Sequence, residues 1–248
     1  MVVTIVWRVQ HFDEIDSTNT WVASKALEGA AEGLVCVADF QMKGNGRRDR
    51  TWEALARSAL LCSVLLRPRV DLDDLQLGVA AVSLALRAAL VRLCGVRPEL
   101  KWPNDLLVRD VKVAGVLAEV LATDEGPALV VGFGVNLTAH PDGATSITEA
   151  AGVTITAPAL LDIVLEELEP RRAQMEEPDG RAELRGEYER ALVTVGRRVR
   201  VELASAVHEG QARGVDDVGR LVVEVDGVER VFAAGDVVHL RPATNEVA

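Results

Sequence analysis

Apolar positions along this chain follow two rhythms. The runs LVCVAD (34–39) and ALLCSVLLR (59–67) are almost continuously apolar and bounded by polar sequence, which predicts buried strands. From Leu75 to Cys94 apolar residues recur every three to four positions and stop at Gly95, predicting a helix with a glycine C-cap. Its interior is apolar nearly all round, so it is expected to lie against a sheet face with little exposed surface. ELKW, DLLV, KVAGVLAEVLA and ALVVGFGVNL then follow closely, with a tight turn at Arg109-Asp110. Strands this close in sequence pair antiparallel, unlike the strand–helix–strand spacing of a doubly wound fold. Helices are predicted over Pro158–Met175, with a kink or break at Pro170, and over roughly Asp179–Val193.

The pattern changes at Gly196. RRVRVEL, QARGVD, RLVVEV, VERVFA and DVVHL are short β-rich runs with turn signals at Asp217–Gly219, Asp226-Gly227 and Gly235-Asp236. They predict a small β-barrel. The expected organisation is α+β, with a first domain over 1–195, a second over 196–248, and frayed last residues.

Composition narrows the function. A hydrophobic content of 49% supports a sizeable core, and a net charge of -11 argues against a partner held chiefly through nucleic-acid phosphates. The N-terminus lacks the pattern of a secretory signal, and charges interrupt every long apolar run, so no membrane span is expected. Cys36, Cys62 and Cys94 sit in apolar stretches without metal-like spacing, which reads as reduced thiols and a cytoplasmic location.

Five segments are candidates for chemistry. In DSTNTW (16–21), Ser17, Thr18 and Asn19 either cap the helix that follows or bind the polar head of a small ligand. In QMKGNGRRDRTW (41–52), Gly44 and Gly46 permit close backbone approach beside Arg47, Arg48 and Arg50; a phosphate is the natural guest, a solvated basic loop the plain alternative. The segment is not a P-loop. KWPND (101–105) is ordinary turn material or a site edge at which Asp105 holds a divalent cation. Lys112, just past a tight turn, points into a cleft or reaches water. GFGVN (132–136) has two glycines that admit a flat ligand, but no helix opens on it as in a dinucleotide fingerprint.

Taken together and in this order, DSTNTW, the glycine/arginine loop, KWPND, KVAG-x-L-x-E and G-x-G-x-N resemble the catalytic domain of the biotin–protein ligases, within the superfamily that also activates lipoate. The resemblance runs from about Phe12 to Leu240. It implies a class II synthetase-like catalytic domain, with a mixed, largely antiparallel sheet and packed helices, followed by an SH3-like barrel. The activity implied is ATP-dependent and Mg2+-dependent joining of biotin to AMP, then transfer to a lysine of a biotin carboxyl carrier protein domain. Ser17, Thr18 and Gln41 would hydrogen-bond the biotin head, with Asn19 beside them and Gly44, Gly46 and Gly115 giving backbone room. Arg47 would hold the adenylate phosphate with Arg48 and Arg50 nearby, and Lys112 would stand between the biotin carboxylate and the α-phosphate. Lys101, Asn104 and Asp105 would position the triphosphate and its magnesium, while Trp52 and Asn136 would lie near the adenine.

Two positions depart from the family loop G-R-G-R-x-G-R: Asn45 stands where an arginine is expected and Asp49 where a glycine is. Losing one charge-assisted hydrogen bond weakens retention of the adenylate by about ten- to a hundredfold, so a leakier intermediate is expected. A lipoate or octanoate enzyme is the nearest rival; its transferase form needs a nucleophilic cysteine, for which the three thiols here are poorly placed. A non-catalytic biotin-binding relative is another. The resemblance begins so near Met1 that a preceding DNA-binding domain is not expected. Monomer and homodimer both remain open.

Overall fold

The computed structural model describes residues 5–47 and 50–240. Arg48, Asp49 and the last eight residues, on which the expectations for Arg48, Asp49 and a frayed end fall, lie outside the described residues.

Seven strands form one sheet in the order β1-β2-β3-β7-β6-β5-β4. They are β1 (Arg8–Ile15), β2 (Leu34–Gln41), β3 (Ala59–Leu66), β4 (Glu99–Lys101), β5 (Asp105–Val108), β6 (Val111–Thr123) and β7 (Gly126–Asn136). Only β1 and β2 run parallel; the other neighbours are antiparallel, as the close spacing predicted. Every residue of β3 is buried, as its almost continuously apolar run required. Arg109 and Asp110 take positive φ, 52° and 63°, and make the tight turn between β5 and β6. β1 had no clear pattern, because it is an edge strand with mostly exposed, polar residues.

Helix α1 (Thr18–Leu27) covers one face of the sheet over β2, β3 and β7. Helix α2 (Leu77–Cys94) lies on the other face and ends at Gly95, whose φ of 70° is the expected left-handed cap. It packs on β6 and β7, but also on α4 (Ala157–Glu176) and α5 (Pro178–Ala191), so helices as well as the sheet hide its apolar surface. A short α3 (Ile147–Ala151) intervenes. The helical stretch Asp73–Cys94 is long and apolar enough to cross a membrane by length and composition, although Arg87 and Arg92 interrupt it; here most of its apolar side chains belong to the main core.

Pro170 does not break α4, which continues to Glu176. The buried Leu160, Leu161, Val164, Leu165, Leu168 and Met175 hold one face of that helix down on both sides of the proline, which offsets the missing N–H bond.

The second sheet has the order β11-β10-β9-β8-β12 and is antiparallel throughout. Its strands are β8 (Arg198–Glu202), β9 (Val207–Val215), β10 (Leu221–Val225), β11 (Val228–Phe232) and β12 (Asp236–His239), matching the five predicted runs. Its buried valines join the same core as α2 and α4.

Candidate active site

Strand register builds the floor of the site. On the face under α1, Ser63 of β3 pairs with Gly132 of β7, which pairs with Leu117 of β6; the next row is Leu61, Gly134, Gly115 and Asp105. Three glycines therefore lie side by side where side chains would otherwise fill the space. Trp52 occupies part of it: a Cβ on Gly134 would come 2.4 Å from the indole, and one on Gly115 would come 3.1 Å from it. Contacts under 3.0 Å do not occur in real packing, so Gly134 is needed for Trp52 to lie flat on the sheet.

A cavity opens between this floor, α1 and the 42–52 loop, lined by Ser17, Thr18, Asn19, Gln41, Asn45, Gly46, Arg47, Trp52, Asn104 and Gly115 among others. Most sequence-predicted residues meet here. Ser17 has both expected roles open to it, since its Oγ caps α1 by accepting from Thr20 N while the residue lines the cavity. Gln41 Oε1 accepts from Thr18 N at 2.7 Å and lies 3.0 Å from Thr18 Oγ1. Trp52, expected at the adenine end, stands in the same cavity as the residues expected at the biotin head.

Gly44 and Gly46 serve the loop itself. A Cβ on Gly44 would meet Trp52 O at 2.5 Å, and one on Gly46 would meet Arg50 O at 2.7 Å. Asn45 bridges to Thr51, closing the segment into a narrow hairpin. The close approach read from these glycines is thus first an approach of the loop's two limbs.

Lys112 is half-exposed, its Nζ 2.6 Å from Asp105 Oδ1 and 5.5 Å from the centre of the Trp52 ring. The carboxylate and the indole face together fix the ammonium at the edge of the cavity. Arg47 donates to Asn104 Oδ1 at 3.4 Å and to Gly235 O at 3.2 Å, while Arg50 pairs with Asp236. Arg47 and Arg50 are therefore held in part by Gly235 and Asp236, where the chain enters β12. A second space joins Arg47, Arg50, Lys101, Asn104 and Asp105 to Glu202 and Asp236 of the second sheet. Asn136 is buried, with its Nδ2 donating to Thr145 O; its Oδ1 and the Trp52 Nε1 have no hydrogen-bond partner among the described residues.

Sequence reasoning assigned no role to Ser63, Glu119, Glu202, Gly235 or Asp236. Ser63 had a signal, as the one polar side chain in the apolar run ALLCSVLL. Glu119 was visible as the last residue of KVAG-x-L-x-E. The residues of the second sheet carried none.

The thiols fit the expectation that none is a nucleophile. Burial pushes Cys36 up to about 12 and raises Cys62 well above the ordinary thiol value. An aromatic disulfide reagent at about pH 8 is expected to label native protein at the partly exposed Cys94 alone. Rapid labelling of three thiols without denaturant would contradict this burial.

The biotin/lipoate A/B protein ligase family matches residues 11–136, and the biotin protein ligase C terminal domain matches 194–240. The biotin--[acetyl-CoA-carboxylase] ligase of Mycobacterium tuberculosis is 38% identical over 236 residues, 91% of this chain and 86% of that protein. The enzyme of the same name from Paracoccus denitrificans is 32% identical over 90% of this chain and 96% of its own. Among solved structures, the biotin protein ligase from Aquifex aeolicus in complex with biotin and ATP superposes with a TM-score of 0.77 at 26% identity, covering 94% of this chain and 99% of that one.

The chain is a ligase of the biotin/lipoate A/B protein ligase family, to which it belongs by the match over residues 11–136 and by its identity to the curated ligases. Its second sheet is the C terminal domain of the biotin protein ligases, which places the chain on the biotin side of that family.

Proposed function

We propose that this chain activates biotin with ATP to biotinyl-5'-AMP, releasing pyrophosphate, and then passes the biotinyl group to a lysine of a biotin carboxyl carrier protein domain, releasing AMP. The observation that carries the reading is the Lys112 ammonium lying against Gly115 and Trp52, two residues that line the same cavity as Ser17, Thr18 and Gln41.

In the first step a biotin carboxylate oxygen attacks the α-phosphorus and pyrophosphate leaves. Negative charge concentrates where two anions meet, so a cation positioned in advance lowers the barrier most. Lys112 supplies it, and Arg47 adds a second from the loop. Asn45, Gly46, Arg47 and Trp52 of the loop line the cavity and help keep water from the mixed anhydride. In the second step the carrier lysine's amine attacks the activated carbonyl and AMP departs, with no covalent link to the protein.

Magnesium fits in one way. Among the described residues no three His, Cys, Asp or Glu side chains converge as a metal site. An ion would therefore arrive with the triphosphate, keep several waters, and take Asp105 as a protein ligand, in keeping with magnesium's preference for phosphate oxygens. Bound there, the ion would supply neutralisation of phosphate charge, and Asn104 and Lys101 would orient the same phosphates. A cytoplasmic location and a carrier lysine presented on an exposed turn belong to the same reading.

The test is exchange of labelled pyrophosphate into ATP, with biotin, lipoate and octanoate in parallel. Exchange with biotin alone is the expected result. Exchange with lipoate or octanoate instead would replace the substrate, and biotin binding without any exchange would replace the enzyme by a binding protein.

A further inference from the structure

We propose that Glu119 is a positioning residue for the biotin head, acting through Asn19 and Ser63 to leave Thr18 as a hydrogen-bond acceptor toward the cavity. The inference rests on the biotin reading above and explains the glutamate that closes KVAG-x-L-x-E.

The chain of contacts is short and directional. Asn19 Nδ2 donates to Glu119 Oε1 at 3.0 Å, with Leu117 O at 3.5 Å on the same side. Both are acceptors, so the amide has one satisfied orientation, with Oδ1 turned the other way. Gly132 makes that orientation possible, since a Cβ there would come 1.9 Å from Asn19 Oδ1. Ser63 Oγ, fully buried, stands 2.6 Å from Asn19 Oδ1 and 2.7 Å from Thr18 Oγ1. A hydroxyl has one hydrogen, and an amide oxygen only accepts, so the Ser63 hydrogen goes to Asn19. Thr18 must then turn its own hydrogen toward Ser63 or toward Gln41 Oε1, both of which are acceptors in this arrangement. What Thr18 Oγ1 shows the cavity is lone pairs.

Glu119 thus keeps, from outside the cavity, the Ser63 hydrogen off Thr18 and both Thr18 lone pairs open to an N–H of the ligand head. Reversing the Asn19 amide would place Nδ2 against Ser63 and send the Ser63 hydrogen into Thr18, blocking one of those lone pairs. A cyclic urea supplies the required N–H; a dithiolane ring has none.

Glu119→Gln keeps the size of the side chain but accepts or donates with equal ease, so the amide is no longer held one way. Calorimetric biotin binding and pyrophosphate exchange would be measured on the full chain for wild type, Glu119→Gln, Ser63→Ala and the double variant, with desthiobiotin, which retains the urea, as a second ligand. Glu119→Gln is expected to weaken binding and raise KM about three- to tenfold for both ligands, with kcat within about twofold. The double variant is expected to lose no more than the weaker single, because the two residues act in series. An unchanged KM in Glu119→Gln, losses that add in the double variant, or a fall in kcat alone would overturn the proposal while leaving the ligase reading intact. A wild type that neither binds biotin nor exchanges would overturn both.

Discussion

Replacing Lys112 with glutamine is expected to lower biotin-dependent pyrophosphate exchange by about 10²–10³-fold, the loss typical of removing one preorganised group that meets charge developing in a transition state. The ammonium is held between the Asp105 carboxylate at 2.6 Å and the Trp52 ring at 5.5 Å, so it needs no reorganisation when the two anions approach. Glutamine keeps the reach but not the charge. Arginine keeps the charge but not the fit, because a Cβ at Gly115 would already lie 3.2 Å from the lysine tip, and a planar guanidinium needs more room. Lys112→Arg is therefore also expected to be impaired, by about tenfold. Stability should barely change in either variant, since the pair with Asp105 is partly exposed and screened by solvent. Single-turnover formation of biotinyl-AMP separates this from slow release. Exchange within about tenfold of wild type in Lys112→Gln would remove Lys112 from the chemistry.

The second large effect is on stability and lies at the other end of the sheet. The Arg172 side chain, 6% exposed, meets Glu32 at 2.7 and 2.8 Å and Glu176 at 2.9 Å, and also donates to Arg67 O. Through these contacts it joins α4 to the end of β3 and to the turn before β2. Arg172→Ala removes the cation and leaves the partly buried Glu32 and Glu176 carboxylates without it, a change expected to cost about 3 kcal/mol, the low end for breaking a buried pair because both carboxylates border an open cavity. For a chain of this length that lowers Tm by about 10 °C. The sign of the pH dependence follows from Glu176. Burial alone would raise its pKa, but the Arg69 backbone N–H and the Arg172 guanidinium overcome burial and hold it below the ordinary value. A carboxyl lowered by folding stabilises above its unfolded pKa and loses that contribution as pH falls through the folded one. The gap between wild type and Arg172→Ala should thus narrow below about pH 4. Exchange per folded molecule should be unchanged, because the length of β6 separates Arg172 from Lys112. Chemical denaturation across that pH range measures the gap; a loss below about 1 kcal/mol at neutral pH would show that the network is not what ties α4 down.

Much of this architecture could be read before any coordinates. Helix α2 and its Gly95 cap, the antiparallel run from β4 to β7, the Arg109-Asp110 turn and the five barrel strands all announced themselves, because each combines a long apolar pattern with turn residues of defined conformation. Edge strand β1 and the five-residue α3 did not, since neither buries a regular stripe. Pro170 misled for a related reason: a local rule against proline in helices was outweighed by apolar contacts on both sides of it.

The site divides in the same manner. Sequence alone determined which residue types would be available: the polar run at 17–19, the glycines of β6 and β7, the arginine loop and Lys112 are all composition and order. Tertiary structure decided what each of them does. Strand register brought Gly115, Gly132 and Gly134 side by side and let Trp52 lie on them. Packing of the second sheet set Gly235 and Asp236 against Arg47 and Arg50, a contact between residues about 190 positions apart in the chain that no local pattern encodes. Hydrogen-bond direction, the finest level, aimed the Asn19 Nδ2 at Glu119 and its Oδ1 at Ser63. Local propensity acts over a few residues, whereas register and hydrogen-bond polarity depend on partners that only the folded chain brings together.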